Sequence, residues 1–140
     1  MKRAMILTAV LSIFGCFIVL AETTLTYNDN IKPVLTQKCF SCHDWMGSYD
    51  TFTSHISSQS TITNGLKIIY PAKPDSSVII WRLEGKTVSG AVLTQMPFGS
   101  AALDAQTITM FRTWITQGAN EKNVVDVKES TWSEIKKKFM

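Results

Sequence analysis

Cys39-Phe40-Ser41-Cys42-His43 decides how this chain is read. Two cysteines with two residues between them and a histidine directly after form the spacing at which both thiols meet the vinyl groups of a haem, with the imidazole beneath the iron. His43 is then the proximal ligand. Five-residue patterns arise by chance, so context sets their weight. Here the motif closes a run of helical periodicity, and it holds both cysteines of the chain outside its first 21 residues.

Working outward, the chain starts Met1-Lys2-Arg3 and continues as an almost unbroken apolar run from Ala4 to Leu20. That is the layout of a charged n-region and an apolar h-region, and Val19-Leu20-Ala21 offers a small-residue cleavage site before Glu22. Two other fates are open to the segment: an uncleaved anchor, since the run approaches spanning length, and lipidation at Cys16, against which bulky Phe14 counts. At 140 residues the chain is long enough for one domain with its own core and short for two. The expected division is a signal peptide or anchor over 1–21, a single domain over 22–120, and a polar linker with a short basic helix over 121–140. Cleavage would remove Cys16, leaving no disulfide scaffold. It would also remove Lys2 and Arg3 and take the formal charge from +3 to +1. So small a charge argues against nucleic acid as a partner and against strong attraction to a membrane surface.

Tyr27, Ile31, Val34 and Leu35 recur at helical spacing. Asn28 or Asp29 can cap such a helix, and Pro33 belongs in its first turn or so, which places the start near Asn30 and the end at Cys39. From Trp45 to Leu93 the chain is rich in Ser, Thr and Gly and reads as loops with short helical pieces. One piece is expected near Asp75 to Glu84, where Pro74-Asp75-Ser76-Ser77 precedes Val78, Ile79, Arg82 and Leu83 at helical spacing. The β-branched residues between Thr61 and Tyr70 leave a short hairpin open. Ala105 to Gln117 is the clearest helix: Asp104 can cap it, Gly118 ends it, and Ile108, Phe111 and Ile115 share a face with Met110 and Trp114 beside them. In the tail, Thr131-Trp132-Ser133-Glu134-Ile135 and the lysines at 136–138 suggest a docked amphipathic helix. The same stretch loosely echoes residues 26–32, as a degenerate repeat would.

Competing uses of the motif are weaker. A structural zinc site needs four ligands, whereas the chain past residue 21 has two Cys and two His. A thioredoxin-like dithiol belongs at a helix start, where the dipole lowers the thiol pKa, and this pair comes at a helix end. The second axial ligand must come from elsewhere, and Met96 in Gln95-Met96-Pro97-Phe98-Gly99 is the candidate: Pro97 favours an extended Met96, and Gly99 lets the loop bend. A thioether there raises the reduction potential and closes the iron to small ligands. Met110 reads as core, and Met46 is too near His43 to reach the opposite haem face. His55 is the competitor for the second position, although its Ser/Thr-rich surroundings suggest a surface histidine. Arg82 could pair a haem propionate, with a solvated surface arginine as the blander reading. Trp45, Trp81, Trp114, Tyr49 and Tyr70 are more aromatics than a small core needs, and some are expected against the porphyrin.

The order of landmarks also resembles a family. Ile31-Lys32-Pro33-Val34-Leu35, the Cys39 to His43 motif, Gly65-Leu66, Pro74 with Ser77, Arg82, Met96-Pro97 and Trp114-Ile115 with Gln117-Gly118-Ala119 look like the planctomycete-type cytochrome c domain, a branch of the class I cytochromes c. The resemblance runs from about Tyr27 to Ala119. It implies an all-α fold whose N- and C-terminal helices cross, with haem c attached through Cys39 and Cys42 and ligated by His43 and Met96. Members often form part of larger oxidoreductases or outer-membrane proteins, whereas here the sequence ends soon after one domain.

The resulting expectation is a periplasmic or cell-envelope mono-haem cytochrome that transfers electrons to a redox partner protein and is not an enzyme. Residues 4–20 would tether it to the membrane if uncleaved. The alternatives are a haem-binding sensor or docking subunit of a larger cell-envelope oxidoreductase complex, and a haem peroxidase-like enzyme with an open sixth site.

Overall fold

The computed structural model describes residues 23–58, 60–122 and Lys137. The expected signal or anchor segment, Cys16 and the tail helix lie outside the described residues. Among the described residues the fold is helical, with two isolated antiparallel bridges and no sheet.

The first helical segment begins earlier than its sequence suggests. Tyr27–Ile31 forms a π-turn that runs into helix α1, Lys32–Lys38, so the helical segment starts before Asn30 and the α-helix itself two residues after it. Its cap is Thr26 rather than Asn28 or Asp29. The Thr26 hydroxyl accepts from the Asp29 backbone N–H at 3.1 Å and donates to the Asp29 carboxylate at 2.9 Å, while the Thr26 N–H donates to Asn30 Oδ1. The wide turn answers a steric problem. An α-helix begun at Tyr27 would carry Pro33 in its interior, where the ring meets the carbonyl four residues back. Bonds from Ile31 N to Thr26 O and from Lys32 N to Tyr27 O skip five residues and place Pro33 in the first turn of α1. Tyr27, Ile31 and Leu35 are buried, as their spacing predicts.

Beyond the motif, a 3-10 turn at Asp44–Gly47 leads into helix α2, Tyr49–Ser54, capped by Ser48 and anchored by Phe52. The possible hairpin within 61–70 is absent as such. Residues 55–57 instead meet 65–68 through the Ile56–Lys67 bridge and the Ser57–Leu66, Ser57–Gly65 and His55–Ile68 backbone bonds.

The helix expected from Asp75 is split: a 3-10 turn, Pro74–Ser76, then helix α3, Val78–Glu84, ended by Gly85 at φ 72°. Ser77 causes the break. It is fully buried and extended, and its hydroxyl accepts from Tyr70 N at 2.8 Å and donates to Lys73 O at 3.0 Å.

Helix α4, Ala105–Thr116, has the expected cap, Asp104 Oδ1 accepting from Thr107 N at 2.8 Å. Its centre differs from the expectation: Ile108 is half-buried, whereas Trp114 is fully buried. Trp114 stacks on Phe52, with ring centroids 6.1 Å apart and planes 5° from parallel, and also packs against Tyr27. The Asn120 carbonyl accepts from both Trp114 Nε1 and Tyr27 N at 2.9 Å, so the two ends of the domain share one acceptor.

Ser77→Ala removes the acceptor for the Tyr70 N–H. The variant is expected to lose about 1–3 kcal/mol, read as a lower denaturant midpoint at unchanged m. A midpoint equal to that of the unaltered chain would show that Ser77 does not organise the start of α3.

Candidate functional site

Cys39 caps the C-terminus of α1, and its carbonyl accepts from Cys42 N at 3.1 Å and from His43 N at 3.0 Å. The motif is therefore a tight turn folded back on its first residue. Two contacts hold it from outside. The Phe40 ring covers Gly47 so closely that a Cβ there would lie 2.6 Å from it. The Tyr27 hydroxyl donates to Met46 O at 2.7 Å, and Met46 N in turn donates to His43 O. The buried aromatic core thus fixes the segment that presents His43.

Met96 arrives from the far side of the sequence. Its N–H donates to Arg82 O at 2.8 Å, Gln95 Nε2 donates to Leu83 O, and Leu93 N donates to Gly85 O. These bonds stitch the Met96 loop to the last turn of α3. The Met96–Pro97 peptide is cis, and Gly99 adopts φ 72° where the loop bends.

Cys39, Cys42, His43 and Met96 all line one cleft of about 480 Å³. That volume lies within the roughly 300–1,000 Å³ of small-molecule and cofactor pockets. Trp45, Met46, Ile68, Val78, Ile79 and Leu83 supply apolar wall. Both cysteines are free thiols, Cys39 half-buried and Cys42 exposed. Burial raises the Cys39 pKa above its ordinary value, with Cys42 adding to the effect. Burial lowers that of His43, assisted by His55, which favours a neutral imidazole able to ligate a metal.

Two residues stand differently from their sequence reading. His55 is half-buried and lines the cleft, lying flat on Trp45 at 3.7 Å between ring centroids. It is held there because α2 ends at Ser54 and the His55 carbonyl accepts from Ile68 N. Arg82 is half-buried and also faces the cleft rather than being solvated on the surface. Of the aromatics, Trp45 lines the cleft, Trp114 is core, Tyr49 packs edge-on against Tyr27, and Tyr70 and Trp81 border a separate shallow depression. Met110 is half-buried against the core. Ser57, Phe98 and Ser100 join the lining without having been singled out by any local pattern.

Among the described residues no three His, Cys, Asp or Glu side chains converge to hold a metal ion, so a zinc-type ligand set is not assembled there. The cleft offers instead one imidazole, one thioether and two thiols on apolar walls. Among the described residues no helix is long and apolar enough to cross a membrane. In comparisons with known proteins, the chain matches no family model, no curated protein and no solved structure.

In the haem-free chain Cys42 is expected to alkylate several-fold faster than Cys39 at neutral pH, because thiolate fraction and access both limit Cys39. The Cys39 rate should keep rising above pH 9, its thiol being held above the ordinary value of 9.0. Peptide mass spectrometry after timed iodoacetamide treatment reads both rates, and equal reactivity would contradict this picture of the turn.

Proposed function

We propose that the chain is an exported mono-haem c-type cytochrome of the class I, planctomycete-type kind, acting in electron transfer. The observation that carries this reading is the convergence of Met96 with Cys39, Cys42 and His43 on one cleft, although a long stretch of sequence separates them. The residues fit the group. Two thiols, an imidazole whose burial favours its neutral form and a thioether line the same cleft, and apolar side chains provide a wall for a flat macrocycle. When bound, haem c supplies a reversible one-electron couple.

The chain's own part is to bind, orient and exclude water. Cys39 and Cys42 hold the group and His43 and Met96 ligate its iron. The Tyr27–Met46 bond and the bonds from the Met96 loop to α3 keep these ligands in place. With an imidazole and a thioether both given to it, the iron would be closed to small substrates, which separates a carrier from a peroxidase-like enzyme. Export to the periplasm or cell envelope, and a redox partner protein there, follow from the apolar run at 4–20 and from the need to pass the electron on.

A second ligation is favoured by one specific observation, the place of His55 in the same cleft. Bis-imidazole ligation would give a lower potential than imidazole with thioether.

The chain expressed with a c-type maturation system should show an intact mass equal to residues 22–140 plus one haem, stable to denaturation. A haem-free mass, under conditions that mature a control cytochrome, would reject the reading. Met96→Ala should abolish the thioether-to-iron absorption band and lower the potential, with His55→Ala leaving both unchanged. Absence of that band from the unaltered protein, with a spectrum altered by His55→Ala and unaltered by Met96→Ala, would give the second ligand position to His55.

A further inference from the structure

We propose that the depression between Tyr70 and Trp81 is a docking point for an acidic partner protein, which seats one apolar side chain there between Lys67 and Lys73. Such docking deepens the redox-partner reading above and rests on it for what the partner does, whereas the docking itself requires no haem.

Leu66, Tyr70, Lys73, Ser76 and Trp81 line a depression of about 250 Å³ that is separate from the cleft. Its volume lies below the roughly 300–1,000 Å³ of pockets that enclose a small molecule, and it suits a single inserted side chain. Trp and Tyr in such a recess are residue types that anchor protein interfaces, since each joins an apolar ring to a polar tip.

The rim is cationic. Lys67 holds its ammonium over the Tyr70 ring, 5.9 Å from the centroid, and Lys73 belongs to the lining itself. Both lysines are exposed. Asp75 is the one carboxylate between Lys67 and Trp81 in sequence, and it pairs with Arg112 at 2.6 Å. Among the described residues neither lysine has an ion-pair partner. An apolar floor under uncompensated cations complements an apolar side chain flanked by carboxylates, with the charges steering and selecting the partner.

The recess is also held rigid. Trp81 Nε1 donates to Asp75 O at 2.8 Å, which fixes the indole. Across from it, Lys73 N donates to Tyr70 O at 3.0 Å, and the buried Ser77 hydroxyl accepts from Tyr70 N and donates to Lys73 O. Within that turn Ala72 stands at φ 61°, and its N–H is tied to Ile115 O of α4 at 2.8 Å. Left-handed backbone at a residue other than glycine persists only where its surroundings impose it, and such strain gathers at binding sites. A preformed recess lowers the ordering cost of association. Its place suits a redox partner, because Val78, Ile79, Arg82 and Leu83 of α3 line the cleft while Trp81 lies on the other face of the same helix. A helix with its side chains is about 10–12 Å across, so a partner seated on Trp81 stands one helix away from the cleft.

The test titrates the isotope-labelled, haem-loaded full chain in its reduced state with the end-blocked peptide Glu-Glu-Leu-Glu-Glu, following amide and indole N–H resonances. At millimolar peptide and low salt the shifts should centre on Tyr70, Lys73 and Trp81, and they should fade as salt is raised. The double variant Lys67→Glu with Lys73→Glu should weaken binding roughly tenfold, the loss of two exposed ion pairs. Trp81→Ala should weaken it too, as should glycine in place of the peptide's leucine, whereas Lys86→Glu should leave it unchanged. The lysine variants alter exposed side chains, so the test does not depend on Trp81→Ala folding. Shifts centred on Lys38 and Phe98 at the cleft, or no shifts at all, overturn the assignment. Free glutamate binding as tightly as the peptide also overturns it, by making the recess a site for small carboxylates. A chain that carries no haem yet gives the shifts at Trp81 keeps the docking point and defeats the haem reading, and the intact mass distinguishes the two.

Discussion

Burial of Trp114 is the constraint on which the rest of the structure depends. Its ring lies against Phe52 of α2 and Tyr27 of the N-terminal turn, and its indole N–H bonds to the carbonyl of Asn120, which also accepts from Tyr27 N. One side chain therefore joins the first turn, the middle of the chain and the segment after the last helix. The other helical elements are short, seven residues in α1 and α3 and six in α2. Helices of this length are marginal in isolation, so they persist because they pack on a shared apolar cluster.

The same cluster governs the cleft. Tyr27 reaches past the core to bond Met46 O, and Met46 N bonds His43 O, so the position of the imidazole follows from the packing of the first turn. The Met96 loop is held by α3, which is tied to α4 through the Arg112–Glu84 pair. The Arg112 pairs are partly exposed, and such pairs stabilise weakly. Their larger effect is on direction: by engaging Asp75 and Glu84 they leave Arg82 without a carboxylate partner among the described residues, lining the cleft together with Lys38.

Much of this was legible in the order of residues, for reasons that can be named. The turn at Cys39 to His43, the Asp104 cap, the Gly118 stop and the buried face of α4 depend on neighbours within a few positions. Where local rules competed, the sequence reading slipped. Pro33 pointed to a helix start near Asn30, but a π-turn relieves the same clash while keeping Tyr27 in the core. Ser77 looked like part of a helix start and does stand at the N-cap of α3, but its buried hydroxyl bonds Tyr70 N and Lys73 O instead of capping the helix.

The sequence by itself determined the Cys39 to His43 spacing and the helical class, because spacing along a chain translates directly into position within one turn or one helix. Tertiary structure alone decided that Trp114 is central, that His55 lies flat on Trp45 inside the cleft, and that Arg82 faces inward with Thr63 behind it. These are contacts between residues far apart in sequence or across a loop. No local periodicity encodes them, since they exist only once the apolar core has fixed where each short element lies.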